Sequence, residues 1–346
     1  MNIVIDIRCL TNTHRTGVGE YTYELLNALF EFDTTNQYFL FYNSWKDVSD
    51  IMPQWKYKNV HCVATQWPNK VLNLFVWLGI VQLDTFIIQN SKFKIQKLDY
   101  FFSPNLNFIS LTDKTKFILT VHDLSFLYFK HCFTWKQQLK HRLVGLKKLC
   151  KRADIILTPS ENTRRDVVRH FGIRGDVIKI VRPRLNNVFS GHRPVISDQV
   201  RLKYGLPEKF ILYLGTIEPR KNILSIIEAY KKSLLITDHC SLVIAGAKGW
   251  KCKKILKAMK NTLGVRYIGY VDPEDKPALY RLASLFVYPS LYEGYGLPVA
   301  EALACGTPVV TSNRSSLPEV GQGDVHLVNP YNIEEVSYFL AKFSQK

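Results

Sequence analysis

The sequence contains no Asp-x-Asp pair and no histidines at ligand spacing, so neither common basis for a divalent cation site is present and no metal cofactor is expected. It also lacks a Gly-x-Ser-x-Gly elbow and a Walker lysine loop, which excludes the usual serine hydrolase and P-loop chemistries. None of the seven cysteines forms a Cys-x-x-Cys pair, so reduced thiols in a cytoplasmic protein are expected rather than a disulfide frame. Cys305 reads as a small packed side chain. Long apolar runs are missing too. The longest, Val71 to Leu83, is interrupted by Asn73 and Gln82 and is too short to span a bilayer; it reads as one helix, either buried or docked on a membrane, and the buried reading is the expectation. The N-terminal MNIVIDI reads directly as a strand, so no signal peptide is expected.

Acidic residues are in short supply. Against 46 Lys and Arg stand 29 Asp and Glu, a formal net charge of +17. This calls for an acidic partner: anionic lipid, nucleic acid or a phosphorylated acceptor. No RNP-like strand, zinc finger or helix-turn-helix context is found, so no nucleic-acid partner is expected. Much of the charge lies in WKQQLKHRLVGLKKLCKR, from Trp135 to Arg152. Trp135, Leu139, Leu143, Leu146 and Cys150 recur there at helical spacing among the cations. Such a helix can rest on an anionic membrane or pack on a core with a solvated basic face, and the sequence leaves both open.

What is present is a strong α/β rhythm in 346 residues, enough for two domains. Strands are expected near residues 2–7, 38–42, 60–64, 99–102, 117–121, 154–157 and 177–181. A second series follows at 210–214, 241–245, 265–268, 285–288, 308–311 and 325–328. Helices lie between them, including 161–171 behind a Ser160 cap. The proline-bearing stretch 182–209 breaks the rhythm and marks the connection.

The stretch from Ser290 to Thr311, SLYEGYGLPVAEALACGTPVVT, carries the most specific information. An apolar strand ends at Tyr288, a glycine-rich loop holds Glu293, and Pro298 suits the first turn of a helix that Gly306 stops. The N-terminus of that helix suits an anion at the end of parallel strands. Glu293 and Glu301 flank it. Carboxylates beside an anion need hydroxyl partners, which a sugar and a ribose supply. Taken one at a time, Glu301 could merely complement the helix dipole, and Glu293 could be a solvated loop residue.

The eight-residue spacing of these two glutamates, within E-G-Y-G-L-P-x-x-E, resembles the Glu-x7-Glu signature of the retaining glycosyltransferases of family 4. The resemblance implies the GT-B fold: two doubly wound Rossmann-like domains facing across a cleft, 1–185 binding acceptor and 186–346 binding a nucleotide-sugar donor. It implies that Glu293 meets the donor sugar's hydroxyls, that Glu301 holds the ribose, and that the Gly296 and Leu297 amides meet the diphosphate. Relatives commonly continue with helices that cross back to the first domain; here the chain stops at Lys346, so these return helices are expected to be absent.

Other pieces fall around this motif. Gly215 to Asn222, GTIEPRKN, follows a strand, and Arg220 and Lys221 stand where a diphosphate is held. Adjacent cations at a helix start can also be plain solvated surface. Thr216 occupies a place where many relatives carry arginine. The stretch resembles members that use GDP-mannose, so that donor is favoured over a UDP-sugar. Gly17 and Gly19 lie between the first strand and first helix. With Thr22 in place of a third glycine no dinucleotide fingerprint forms, and the resemblance implies that this loop closes over the donor phosphate and acceptor side. His122 follows the fifth strand at its carboxyl end, and by resemblance reaches the donor sugar near its reactive carbon, with Asp123 orienting it or meeting acceptor. Tyr270 lies where the family binds the base. Ser315, Ser316 and Glu319 either add a nucleotide contact or cap the helix that follows, and capping is the expectation.

The expected function is therefore retaining, metal-independent transfer of a mannosyl or glucosyl unit to a surface-glycan or lipid-linked acceptor. The expected location is the cytoplasm, with peripheral docking on the inner face of the cell membrane left open. Two alternatives remain: a nucleotide-sugar epimerase of related build, and a non-catalytic glycan- or membrane-binding subunit.

Overall fold

A computed structural model describes residues 1–11, 16–190, 197–234 and 240–344. The chain forms two compact units, Met1–Leu124 with Lys136–Arg184, and Ser125–Trp135 with Leu185–Lys346.

In the first unit, strands β1 (Asn2–Asp6), β2 (Gln37–Asn43), β3 (Val60–Thr65), β4 (Tyr100–Ser103), β5 (Lys116–Thr120), β6 (Ile155–Thr158) and β7 (Ile178–Ile180) make one parallel sheet in the order β3-β2-β1-β4-β5-β6-β7. Val4, Ile5, Leu40, Phe41, Phe101, Phe117 and Leu119 are fully buried, as expected of strands covered on both faces. The order reverses direction between β1 and β4. Right-handed crossovers then put helices on both faces, and the crevice outside the carboxyl ends of those strands is where open sheets bind ligands.

In the second unit, β8 (Phe210–Leu214), β9 (Ser241–Ala245), β10 (Val265–Gly269), β11 (Leu285–Tyr288), β12 (Val309–Ser312) and β13 (His326–Val328) pair in the order β10-β9-β8-β11-β12-β13, again all parallel. Every residue of β8, β11 and β12 is buried. The reversal here falls between β8 and β11. Their carboxyl ends lead into the Gly215–Asn222 and Pro289–Gly296 loops, so topology places those two loops side by side.

Four sequence expectations need correction. Val71 to Leu83 is not one buried helix. It is a helix Asn69–Trp77, a turn at Gly79 and a second helix Leu83–Asn90. Leu72, Val76 and Leu83 are buried, whereas Val71, Leu74, Trp77, Leu78 and Ile80 are exposed, because the short helix is amphipathic and only one face meets the core. The basic stretch likewise divides at Gly145 into Trp135–Val144 and Leu146–Arg152. The second piece buries Leu146, Leu149 and Cys150; the first buries no residue. Gly17 and Gly19 lie inside the first turn of the helix Gly17–Phe32 rather than before it, because Thr16 is the cap and its hydroxyl accepts the Gly19 N–H. The loop preceding them, at 12–15, lies outside the described residues. Finally, the segment Ser125–Trp135 packs with the second unit although its neighbours in sequence belong to the first. Among the described residues, no helix is long and apolar enough to cross a membrane.

Candidate active site

The Gly215–Asn222 loop leaves β8 and makes one tight turn, Pro219–Lys221, set by Pro219 at its start and by Asn222 in the left-handed region (φ 60°) at its end. That turn drives Arg220 and Lys221 inward, and each is only 9% exposed. They are not the solvated surface pair that their spacing also allows. The facing loop from β11 carries Glu293, itself 7% exposed.

The three side chains meet. Lys221 Nζ lies 2.6 Å from Glu293 Oε1, and Arg220 Nη1 lies 3.1 Å from Glu293 Oε2. Arg220 also donates to Glu218 Oε1 (2.7 Å) and to the Tyr292 carbonyl (2.5 Å). Lys221 donates to the Tyr288 hydroxyl at 2.6 Å. Two cations and two carboxylates thus balance in a buried cluster. Burial alone pushes the Glu293 carboxyl up, but Lys221 and Arg220 outweigh this and hold it at about 2. Burial pulls Lys221 below the ordinary lysine value, and Glu293 restores only part of the difference.

Loop shape is held from behind. The Ser315 hydroxyl accepts the Glu293 N–H (2.9 Å), and the Ser316 hydroxyl donates to the Glu293 and Tyr295 carbonyls (2.9 and 2.6 Å). The expectation that these serines cap a helix is therefore corrected: the hydroxyls serve the Glu293 loop, and no side-chain cap forms at Leu317–Gly321. Gly296 has φ 117°, and a Cβ there would lie 2.7 Å from Leu317 Cδ2. Only glycine admits this approach, which starts the helix Leu297–Ala304 beneath the loop. In that helix Glu301 is buried and accepts a hydrogen bond from the Tyr280 hydroxyl at 2.8 Å. Tyr270 is partly buried just past β10, whose Gly269 carbonyl accepts the Gly246 N–H.

His122, Gly17 and Gly19 belong to the first unit. His122 Nε2 is 2.7 Å from the Pro104 carbonyl, and the Tyr21 ring meets the imidazole edge-on at 4.9 Å. The carbonyl can only accept, so Nε2 carries the proton. Burial lowers the His122 pKa, against the Pro104 bond and Asp123, so the ring is neutral near pH 7 with Nδ1 as its acceptor. The His122 carbonyl accepts from Thr163 Oγ1 at 3.4 Å.

Sequence reading missed several groups. Glu218 and Tyr288 complete the cation cluster, and their only local signal is adjacency to Arg220 and to the Glu293 loop. Asp6, the last residue of β1, and Arg8, two residues on, form a largely buried two-bonded ion pair (2.8 and 2.6 Å). An Asp-x-Arg at the end of a buried strand is a signal for it.

Residues 15–183 match the model of Glycosyltransferase Family 4, and residues 198–345 match Glycosyl transferases group 1. The chain is 35% identical over 226 residues to O-antigen chain mannosyltransferase B of Escherichia coli, covering 64% of this chain and 59% of that protein. It is 30% identical over 238 residues to the serotype-specific mannosyltransferase WbdA of Escherichia coli, covering 66% of this chain and 29% of that one. The chain thus spans less than two thirds of the length of these relatives. Among solved structures, Anabaena Alr3699/HepE in complex with UDP and glucose superposes with a TM-score of 0.71 at 15% identity, over 99% of this chain and 89% of that one. The two parallel α/β units make up the GT-B fold expected from the Glu-x7-Glu motif.

Proposed function

The chain belongs to the family 4, group 1 glycosyltransferases, and from that premise we propose that it transfers a hexosyl unit, mannosyl before glucosyl, from a nucleoside diphosphate sugar to a surface-glycan or lipid-linked acceptor with retention at the anomeric carbon. One observation carries this reading: the buried Arg220–Glu293–Lys221 cluster at the strand reversal of the second unit. A nucleoside diphosphate brings negative charge that these two cations can take over from Glu293. Once released, Glu293 has the donor sugar's hydroxyls as partners, while Arg220 and Lys221 stabilise the charge that grows on the leaving phosphate. Gly296 and Leu297 present backbone amides to the diphosphate, Glu301 takes the ribose and Tyr270 borders the base. The acceptor oxygen attacks the anomeric carbon on the face that the phosphate leaves. The C–O bond to phosphate breaks, and the leaving phosphate oxygen takes the acceptor's proton. The cations fill the role a divalent metal has elsewhere, so the reaction runs without one. His122, in the first unit, offers its neutral Nδ1 as an acceptor for a hydroxyl.

The mannosyltransferase relatives favour GDP-mannose as donor, and the neighbour solved with UDP and glucose keeps a UDP-sugar as the second choice. An anionic membrane surface is the further partner in this reading. Trp135, Leu139 and Leu143 are exposed among the lysines of the helix Trp135–Val144, which supports it.

Thermal unfolding with GDP, UDP, GDP-mannose, UDP-glucose and UDP-N-acetylglucosamine, each with and without magnesium, tests the donor. A ligand at 100 times its dissociation constant raises stability by about 2.7 kcal/mol. A selective, magnesium-independent shift is expected for GDP and GDP-mannose. No shift from any nucleotide defeats the reading.

The pH profile tests the cations. Loss of the Lys221 proton removes a charge from the leaving-group side, so activity falls as pH rises. Because burial lowers this pKa, the alkaline limb should begin before the ordinary lysine value of 10.5. In Lys221→Arg, whose side chain stays charged, the limb should move upward. A limb that does not move means that another group titrates there.

A further inference from the structure

Between Leu124 and Lys136 the chain forms a strap on the second unit. It consists of two short turns, Ser125–Tyr128 and Lys130–Cys132, closed by Phe129 N–H to Ser125 O (2.8 Å) and Cys132 N–H to Phe129 O (2.9 Å). It is fastened at two places. At one, the Phe133 ring stacks on Trp250 with centroids 5.8 Å apart and planes at 24°. There Trp250 Nε1 donates to the Cys132 carbonyl (2.8 Å), and Lys251 Nζ to the His131 carbonyl (2.6 Å). At the other, Tyr128 stacks on Tyr292 at 5.4 Å and 27°, with the Phe129 ring 6.2 Å from the same residue.

Trp250 and Tyr292 stand in the two loops that border Arg220. The Tyr292 carbonyl, Glu218 and Glu293 all hold the guanidinium. Gly249, next to Trp250, donates its N–H to the Ile217 carbonyl (3.1 Å), and Ile217 pairs with Lys248 in a short parallel bridge. The Trp250 loop therefore lies against the turn that presents Arg220. Cys132, between the two fastenings, is buried. Burial raises its thiol pKa, and the Arg220 and Glu218 charges also act on it.

We propose that Tyr128, Phe133 and Trp250 are positioning residues for glycosyl transfer, acting through Arg220: the strap clamps the Trp250 and Tyr292 loops together and so fixes where the guanidinium points. This rests on the transferase reading above. The ring stacks hold each loop through a flat contact of defined geometry. A cation displaced by 1 Å from a developing phosphate charge can cost about 100-fold in rate.

The test is steady-state kinetics with the donor that shifts thermal stability, on the full chain. Phe133→Ala and Trp250→Ala should each lower kcat about 10- to 100-fold, while donor KM moves less than about threefold, since an interaction realised mainly in the transition state is lost. The double variant should be no slower than the slower single, because both remove one contact. Tyr128→Ala, which removes the stack on Tyr292, should lower kcat in the same way. A purely structural strap would lower the unfolding midpoint and leave kcat of the folded enzyme unchanged, which overturns the proposal; so do losses that multiply in the double variant. If the alanine variants do not fold, Phe133→Leu keeps volume, removes the stack and carries the test with the same two outcomes. A wild-type protein that binds nucleotide but transfers to no acceptor overturns the transferase reading and this inference with it. Active wild type with unaffected variants overturns the inference alone.

Discussion

Glu293→Ala is expected to abolish measurable transfer and, in the same variant, to cost about 3–5 kcal/mol of folding stability, because it leaves two buried cations without their shared partner. The distances make these two losses inseparable: Lys221 and Arg220 lie 2.6 and 3.1 Å from the two carboxylate oxygens. Glu293→Gln separates them. The amide retains an oxygen for Lys221 and the approximate shape of the loop, so part of the stability should return, while the part that depends on the carboxylate charge should not. The charge that balances the cations and strengthens bonds to the donor hydroxyls does not return, so turnover should stay down by about 100-fold or more. Denaturant unfolding beside transfer assays on both variants decides this. A glutamine variant with wild-type turnover ends the role assigned to the carboxylate. Glu293 also ties stability to pH with a definite sign. Its folded pKa of about 2 lies below the ordinary 4.5, so its contribution is complete above that ordinary value and disappears as pH falls through about 2. The glutamine variant should lack this part of the acid dependence.

Gly246→Ala is expected to prevent the second unit from folding stably. An added Cβ would lie 2.0 Å from the Gly215 carbonyl oxygen and 2.6 Å from its carbon, and φ at this residue is 133°. These are backbone atoms at the start of the Arg220 loop, so no side chain can swing aside. Neither backbone can retreat cheaply. Gly246 N–H donates to the Gly269 carbonyl (2.6 Å), and Gly215 N–H donates to the Ala245 carbonyl (3.0 Å). Strain of this kind costs about 1–3 kcal/mol at one residue before any hydrogen bond is lost, and the displaced sheet end adds to it. The loss should exceed about 3 kcal/mol, at the exceptional end for point substitutions. Gly17→Ala is the control. It lies in the first turn of a helix with nothing within 4 Å of the added carbon, and should be neutral or stabilising by up to about 1 kcal/mol. Equal midpoints for the two variants would refute the collision argument.

Much of this protein follows from local pattern. Runs such as FILYL and SLVIA are apolar on both faces, which only a strand buried in a parallel sheet accommodates, and their bounds at Phe210–Leu214 and Ser241–Ala245 match the reading. Ser160 before Glu161–Phe171 is a cap by chemistry alone, and its side chain accepts the Thr163 N–H. Glu293 and Glu301 were legible because their spacing is contained in one loop and one helix.

What stayed hidden depends on groups far apart in sequence. That Lys221 should pair with Glu293 rather than reach solvent was decided by the reversal between β8 and β11, which sets two loops about 70 residues apart against each other. Ser315 and Ser316 look like caps by composition, yet hold the Glu293 loop because the chain returns beneath it after β12. The exposed half of Val71 to Leu83 and the strap at Ser125–Trp135 were likewise decided by what lies nearby in space. Periodicity and motif spacing thus determined the elements, the two-unit α/β class and the family. Burial, the sharing of charge among Arg220, Lys221, Glu218 and Glu293, and the seat of the strap belong to the tertiary structure, since solvation and Coulomb energy depend on distances that local sequence does not contain.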